Sequence, residues 1–166
     1  MRETAWPPAR RAEGLLIDRP RLKASALSGR GHTLISGDLD AAITVLAPGA
    51  PMLGLYALAP ETAHALRIAR AGALLVTRAP IDPPEGWRGG WCATALDDGW
   101  TAIDVSGPDA ALALAQGTSA DLKTGSASVS VLFAGFRCLL SRTPDGFRLY
   151  VERPWLEALL TWLDGA

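Results

Sequence analysis

The residues of this chain that could do chemistry are few and dispersed. His32 and His64 lie far apart, and neither has the i, i+4 or Glu-x-x-His company that a metal site on a helix requires, so both are expected to be solvated or hydrogen-bonded side chains. Asp97 and Asp98 form an adjacent carboxylate pair, but neighbours at a tight turn point different ways, and a turn role accounts for them. Gly29-Arg30-Gly31 superficially resembles a phosphate loop; it lacks the preceding strand, the following helix and the Lys-Ser/Thr that would reach phosphate and Mg²⁺. No serine has a general base at a recognisable spacing, and no Gly-x-Gly-x-x-Gly is present for a dinucleotide. Cys92 and Cys138 fall on expected strands and read as reduced, small hydrophobes. No catalytic and no metal-binding residue is therefore named, and a stand-alone enzyme is disfavoured. A site assembled in three dimensions from distant residues leaves no trace at this level.

The composition narrows the partners. Sixteen basic residues face 17 acidic ones, which leaves no electrostatic footprint for nucleic acid or an anionic membrane. No stretch approaches the roughly eighteen apolar residues of a membrane span, and no signal sequence opens the chain, so a cytoplasmic protein is expected. Six tryptophans and a low charge content point to association with other proteins, although any one tryptophan is as readily core.

The elements that would position these residues are clearest in residues 91–166. Asp98-Gly99 between two alternating runs, 91–96 and 100–105, is a strong hairpin signal. Ser106 or Gly107 can cap a helix with Pro108 in its first turn and Asp109 near its positive end; Leu112, Leu114 and Ala115 give a short apolar stripe that stops at Gln116-Gly117. Strands are expected over 127–133, 136–142 and 147–152, turned at Ala134-Gly135 and Asp145-Gly146 into an antiparallel meander. Pro154 then opens a terminal helix carrying Trp155, Leu156, Leu159, Leu160, Trp162 and Leu163. Strand, helix, three strands, helix is an α+β layer: a mainly antiparallel sheet with helices on one face, a ferredoxin-like βαβββα unit.

The first half is less regular. Residues 1–14 read as a flexible arm with Trp6 as a potential anchor, and 15–166 as a single α+β domain whose N-terminal half runs to about residue 85. Residues 15–27 allow a short helix or an extended strap. Segments 32–35 and 42–46 are candidate strands, 52–58 can continue a sheet, Pro60-Glu61-Thr62 can start a helical turn, and 66–68 with 73–77 read as a hairpin. The segment 80–90, with Pro83-Pro84, Gly86 and Gly89-Gly90, is the clearest irregular connection. The two halves have similar makings without a residue-level repeat.

The ordered set Ile103-Asp104-Val105-Ser106-Gly107-Pro108-Asp109-Ala110, Gln116-Gly117-Thr118-Ser119-Ala120-Asp121-Leu122, Leu132-Phe133-Ala134-Gly135, Phe147-Arg148-Leu149-Tyr150-Val151-Glu152-Arg153 and Trp155 through Trp162-Leu163 resembles the gamma subunit of heterotetrameric sarcosine oxidase, a family related to the folate-binding domain of the glycine-cleavage T-protein. The resemblance covers the C-terminal half well and extends more weakly through Leu66-Arg67-Ile68 and Gly72-Ala73-Leu74-Leu75-Val76-Thr77. It implies a T-protein-like fold and an accessory, non-catalytic role beside alpha, beta and delta subunits. Those partners would carry FAD and FMN, NAD, tetrahydrofolate and zinc, with no cofactor bound by this chain. The complex would oxidatively demethylate sarcosine or another N-methyl amino acid, passing the one-carbon unit to tetrahydrofolate and the electrons to oxygen.

Under that reading the contact surfaces are expected at the arm around Trp6 and at the loop carrying Trp87 and Trp91, where large aromatics stand in segments with little secondary structure to bury them. Two alternatives stand beside it. One is a stand-alone folate- or pterin-binding one-carbon protein, which would stack a pterin on Trp91 or Trp100 and hold its ring nitrogens with Asp104. The other is a homo-oligomeric protein using the fold only structurally.

Overall fold

The computed structural model describes residues 13–55 and 57–165, so the arm and its Trp6 lie outside the described residues. Eleven strands and three helices follow in the order β1 (Gly14–Asp18), β2 (Lys23–Leu27), β3 (Gly31–Gly37), α1 (Leu39–Leu46), β4 (Met52–Leu53), β5 (His64–Ala69), β6 (Gly72–Thr77), β7 (Trp91–Ala95), β8 (Trp100–Ser106), α2 (Ala110–Gly117), β9 (Ser130–Phe133), β10 (Phe136–Thr143), β11 (Gly146–Glu152) and α3 (Leu156–Gly165), the last entered through a 3₁₀ turn at Arg153–Trp155. They build two sheets, ordered β1-β2-β8-β11-β10-β9 and β4-β5-β6-β3-β7. Every pairing is antiparallel except the short β4–β5 contact.

The layering follows from alternation along the strands. On β8, Ile103 and Val105 join Leu149 and Val151 of β11 under Ala113 and Leu114 of α2 and Leu156, Leu159 and Leu163 of α3. The intervening Trp100 and Ala102 point the other way, with Leu139 and Tyr150, against Leu66, Leu74 and Val76 of the second sheet. On that sheet's outer face Ala65, Ala73 and Leu75 pack under Leu39, Ala42 and Ile43 of α1. The result is helix, sheet, sheet, helix: each sheet covered on its outer face and sharing a core on its inner one. An α+β fold with helices on one face of mainly antiparallel sheets is what the pattern of residues 91–166 implies, and the β9-β10-β11 meander and terminal helix form as expected.

Four local expectations are corrected. Asp98-Gly99 does not close a hairpin: β7 pairs with β3 in one sheet and β8 with β2 and β11 in the other. The turn, held by Gly99 N–H donating to Leu96 O at 2.8 Å, carries the chain between sheets, because each strand has a better-matched partner elsewhere. Residues 42–46 are helix rather than strand; Asp38 caps α1 by accepting from Ala41 N–H at 3.0 Å, and Leu39, Ala42 and Ile43 recur at helical spacing. Residues 15–27 form a β1–β2 hairpin, and residues 60–62 form no helix.

The two halves also share a topology that the sequence hides. Each runs strand, strand, helix, then three strands: β2-β3-α1-β4-β5-β6 and β7-β8-α2-β9-β10-β11. In each, the second strand pairs with the last, and the last with the one before it. The first strand of each unit is exchanged: β2 lies against β8, and β7 against β3.

Candidate functional site

Polar side chains inside the shared core converge at one end of it. Arg148 stands beside Asp104 in the β11–β8 register, a cross-strand pair by construction. Its Nε donates to Asp104 Oδ1 at 2.6 Å and its Nη2 to Oδ2 at 2.9 Å, a two-pronged ion pair with the guanidinium 3% exposed. The same Nη2 reaches Glu61 Oε1 at 3.2 Å, and Arg30 donates to the other Glu61 oxygen and, at 2.8 Å, to the Glu61 carbonyl. The hydrogen bond from Arg148 holds the Glu61 carboxyl below the usual carboxylate range. Four residues from four segments thus form one ion-pair chain that links β8, β11, the β2–β3 turn and the entry to β5.

Both histidines sit beside this chain. His64 Nδ1 donates to Thr62 O at 2.9 Å, which fixes its tautomer and leaves Nε2 to accept from the Tyr150 hydroxyl at 3.0 Å. Burial lowers the His64 pKa and pushes the Tyr150 phenol up to about 12, so both are neutral at physiological pH. His32 differs. Its backbone N–H donates to Asp97 Oδ1 at 2.6 Å, while its ring, 3% exposed and edge-on to Tyr150, has no hydrogen-bond partner at either nitrogen among the described residues. Burial takes its pKa down to about 4.

His32 lines a cleft of about 230 Å³ between the β2–β3 turn and the β7–β8 turn, walled by Arg30, Asp97, Asp98, Trp100, Thr101 and Arg153. Asp97 therefore has a tertiary partner beyond its turn role, and Asp98 meets Arg153 at 3.4 Å. Of Trp91, Trp100 and Asp104, only Trp100 lines this cleft; Trp91 belongs to the layer under α1, and Asp104 is held by Arg148. Those three do not make one pterin pocket. Trp87 is 68% exposed, whereas Trp91, at 4%, is core. Cys138 is buried, with its thiol pushed up to about 12 by burial, and neither cysteine is in a disulfide. Among the described residues no group of three or more His, Cys, Asp or Glu is placed to hold a metal ion, and no helix is long and apolar enough to cross a membrane.

The ion-pair chain was not anticipated from the sequence. Its one visible signal is a charged residue inside each of two otherwise apolar runs, Asp104 in β8 and Arg148 in β11. Glu61 and Arg30 lie in turns and gave none.

No family model and no curated protein matches the sequence. Among solved structures, a chain of the heterotetrameric sarcosine oxidase from Corynebacterium sp. U-96 in complex with pyrrole 2-carboxylate is similar, with a TM-score of 0.69 and 16% identity over 89% of this chain and 84% of that one. At that identity the likeness is one of fold: this chain has the two-sheet α+β architecture of a sarcosine oxidase chain over nearly its whole length.

Proposed function

We propose that the protein is an accessory, gamma-type subunit of a cytoplasmic, heterotetrameric flavoenzyme related to sarcosine oxidase, acting on sarcosine or another N-methyl amino acid with one-carbon transfer to tetrahydrofolate. The observation that carries this reading is the mutual coverage of the fold match, 89% of this chain against 84% of the oxidase chain, which favours equivalence to a whole chain of a hetero-oligomer over a shared fragment. The ordered motifs from Ile103 to Leu163 support the gamma assignment. The ion-pair chain fits it as well: its acid and base groups pair with one another, an arrangement suited to fixing shape.

In this reading the chain binds no flavin, folate, NAD or zinc of its own and packs against alpha, beta and delta subunits that carry them. Trp87 is a contact residue, since a large exposed aromatic in an irregular segment is the usual kind of interface anchor. The test is to purify the tagged chain from its own cells and record the absorbance of what accompanies it. Larger subunits with a flavin band near about 450 nm are expected. A lone, colourless protein at native expression levels refutes the reading.

A further inference from the structure

Of the three helices among the described residues, α2 alone meets solvent without a charge. The exposed residues of α1 include Asp40 and those of α3 include Glu157 and Asp164, whereas α2 turns out Ala111, Leu112, Ala115 and Gln116. A surface helix ordinarily sets charged side chains opposite its buried stripe. On α2 the buried stripe is Ala110, Ala113 and Leu114, and opposite it Leu112 is 60% exposed. Two grooves flank this face. One, of about 310 Å³, runs between Leu112 and Gln116 and the β1–β2 turn at residues 19–22. The other, of about 360 Å³, runs between Ala111 and Ala115 and a wall of Leu122, Lys123, Arg142 and Phe147.

The face is rigidly held at both ends. Asp109, the N-cap residue of α2, accepts two hydrogen bonds from the Arg21 guanidinium at 2.6 and 2.7 Å, and its own N–H donates to Arg21 O at 3.1 Å. At the C-terminal end Gly117 lies so near the Phe133 ring that a Cβ there would come within 2.5 Å of it, and Ala134 N–H donates to Gly117 O at 2.8 Å. Both grooves are therefore formed before any partner arrives, which lowers the ordering cost of binding.

We infer that the exposed face of α2 docks an amphipathic helix of a partner polypeptide, one whose apolar stripe is flanked by acidic residues. Leu112 and Gln116, four apart, form a ridge, and Ala111 and Ala115 beside them form a low row into which the i, i+4 ridge of a second helix fits. At about 1.5 Å per residue α2 offers roughly 12 Å of contact, about two turns of the incoming helix. The acid is called for by the second groove, where Lys123 and Arg142 stand on the wall. The carboxylates on this face are already engaged, Asp109 by Arg21 and Asp121 by the Lys123 N–H and the Thr124 hydroxyl. A second copy of the chain, meeting this face with its own, brings no free acid to that wall, so the partner is a different polypeptide. The inference rests on the accessory-subunit reading for the existence of such a partner. It places the contact in the outer layer opposite Trp87, which lies against Gly37 at the entry to α1.

The test compares the complex recovered from the protein's own cells with the isolated full-length chain. Hydroxyl-radical footprinting reads the exposure of Leu112, and a zero-length carbodiimide cross-linker joins the Lys123 amine to a carboxylate beside it. Leu112 is expected to be oxidised in the isolated chain and shielded in the complex, with Lys123 cross-linked to an Asp or Glu in a helix of the partner. Leu112→Glu is expected to weaken assembly about tenfold or more while the melting temperature of the isolated chain stays unchanged, and Leu112→Met to retain assembly. A Leu112 equally oxidised in both states, a Lys123 cross-link to a second copy of this chain, or the absence of a cross-link to a partner helix overturns the inference. So does undiminished assembly by a folded Leu112→Glu protein; where that variant unfolds, the footprint and cross-link on the unaltered protein decide. A flavoprotein that co-purifies while Leu112 stays open overturns this inference and leaves the accessory reading standing. A shielded, cross-linked face in a flavin-free complex does the reverse, and a lone chain refutes both.

Discussion

Replacing Arg148 by Met tests whether the ion-pair chain holds the two sheets together. The guanidinium is 3% exposed, and its partners are 30% exposed at Asp104 and 68% at Glu61. Removing one member of a buried pair costs about 3–5 kcal/mol, chiefly because the other is left charged and poorly solvated. Asp104 keeps partial contact with water, which puts the cost at the low end, and the Glu61 arm, as a mostly exposed pair, adds about 0–1 kcal/mol. The expected loss is therefore about 3 kcal/mol. In urea unfolding this lowers the midpoint by about 1.5 M at a slope near 2 kcal/mol/M, with the slope unchanged. The melting temperature falls by about 6–12 °C for a chain of this length. Adding Asp104→Asn to Arg148→Met should cost less than the sum of the two single changes, with a coupling of about 1–3 kcal/mol. An Arg148→Met protein within about 0.5 kcal/mol of wild type, or strict additivity in the double variant, refutes the reasoning.

Other outcomes follow from the same geometry. His32 titrates at about 4 in the fold against 6.5 in the open chain, so its contribution is complete above pH 6.5 and declines as the pH falls toward 4, by up to about 3 kcal/mol. Stability measured against pH should show this slope, and His32→Gln should remove it, leaving the share of His64, whose pKa burial also lowers. For Glu61 the depressed carboxyl gives stability that is full above its ordinary 4.5 and lost as the pH falls through the lower folded value; because the group is largely exposed, Glu61→Gln should cost under about 1 kcal/mol by urea unfolding at pH 7. Gly37 has φ +103°, and a Cβ there would lie 2.2 Å from Gly90 O, so Gly37→Ala should destabilise by at least about 1–3 kcal/mol in the same assay. Trp87→Ala should leave the melting temperature of the isolated chain almost unchanged while weakening recovery of partner subunits in the pull-down.

What could be read in advance divides along the line between local and long-range control. The β9-β10-β11 meander was legible because Ala134-Gly135 and Asp145-Gly146 set the turns and the strands alternate about them. The turn at Asp98-Gly99 has the same local signature but does not make a hairpin, since which strand lies beside β8 is decided by Ala24 and Ala26 of β2 and by Leu149 and Val151 of β11. Helix α1 was missed although Asp38 and the Leu39, Ala42, Ile43 spacing announce it, because its β-branched Ile43, Thr44 and Val45 read as strand. His64 is hydrogen-bonded, as expected of a histidine without ligand company. The His32 cleft was invisible because its walls come from two turns about 65 residues apart, the span of the His32–Asp97 hydrogen bond.

The exchanged strands bear on how the chain comes to be folded at all. When residues up to 77 have left the ribosome, the β4-β5-β6-β3 sheet can form, but its β3 edge stays bare until β7 follows, and the β1–β2 hairpin has no surface to dock on until β8 arrives. Neither portion reaches its final form before the other is made. Long-range pairings of this kind slow folding and leave unpaired edges open to wrong partners in the meantime. The same interlock turns two topologically similar modules into one cooperative body. A break in the irregular residues 78–90 would leave two pieces, each holding a strand that belongs in the other's sheet, and re-association would have to thread both at once.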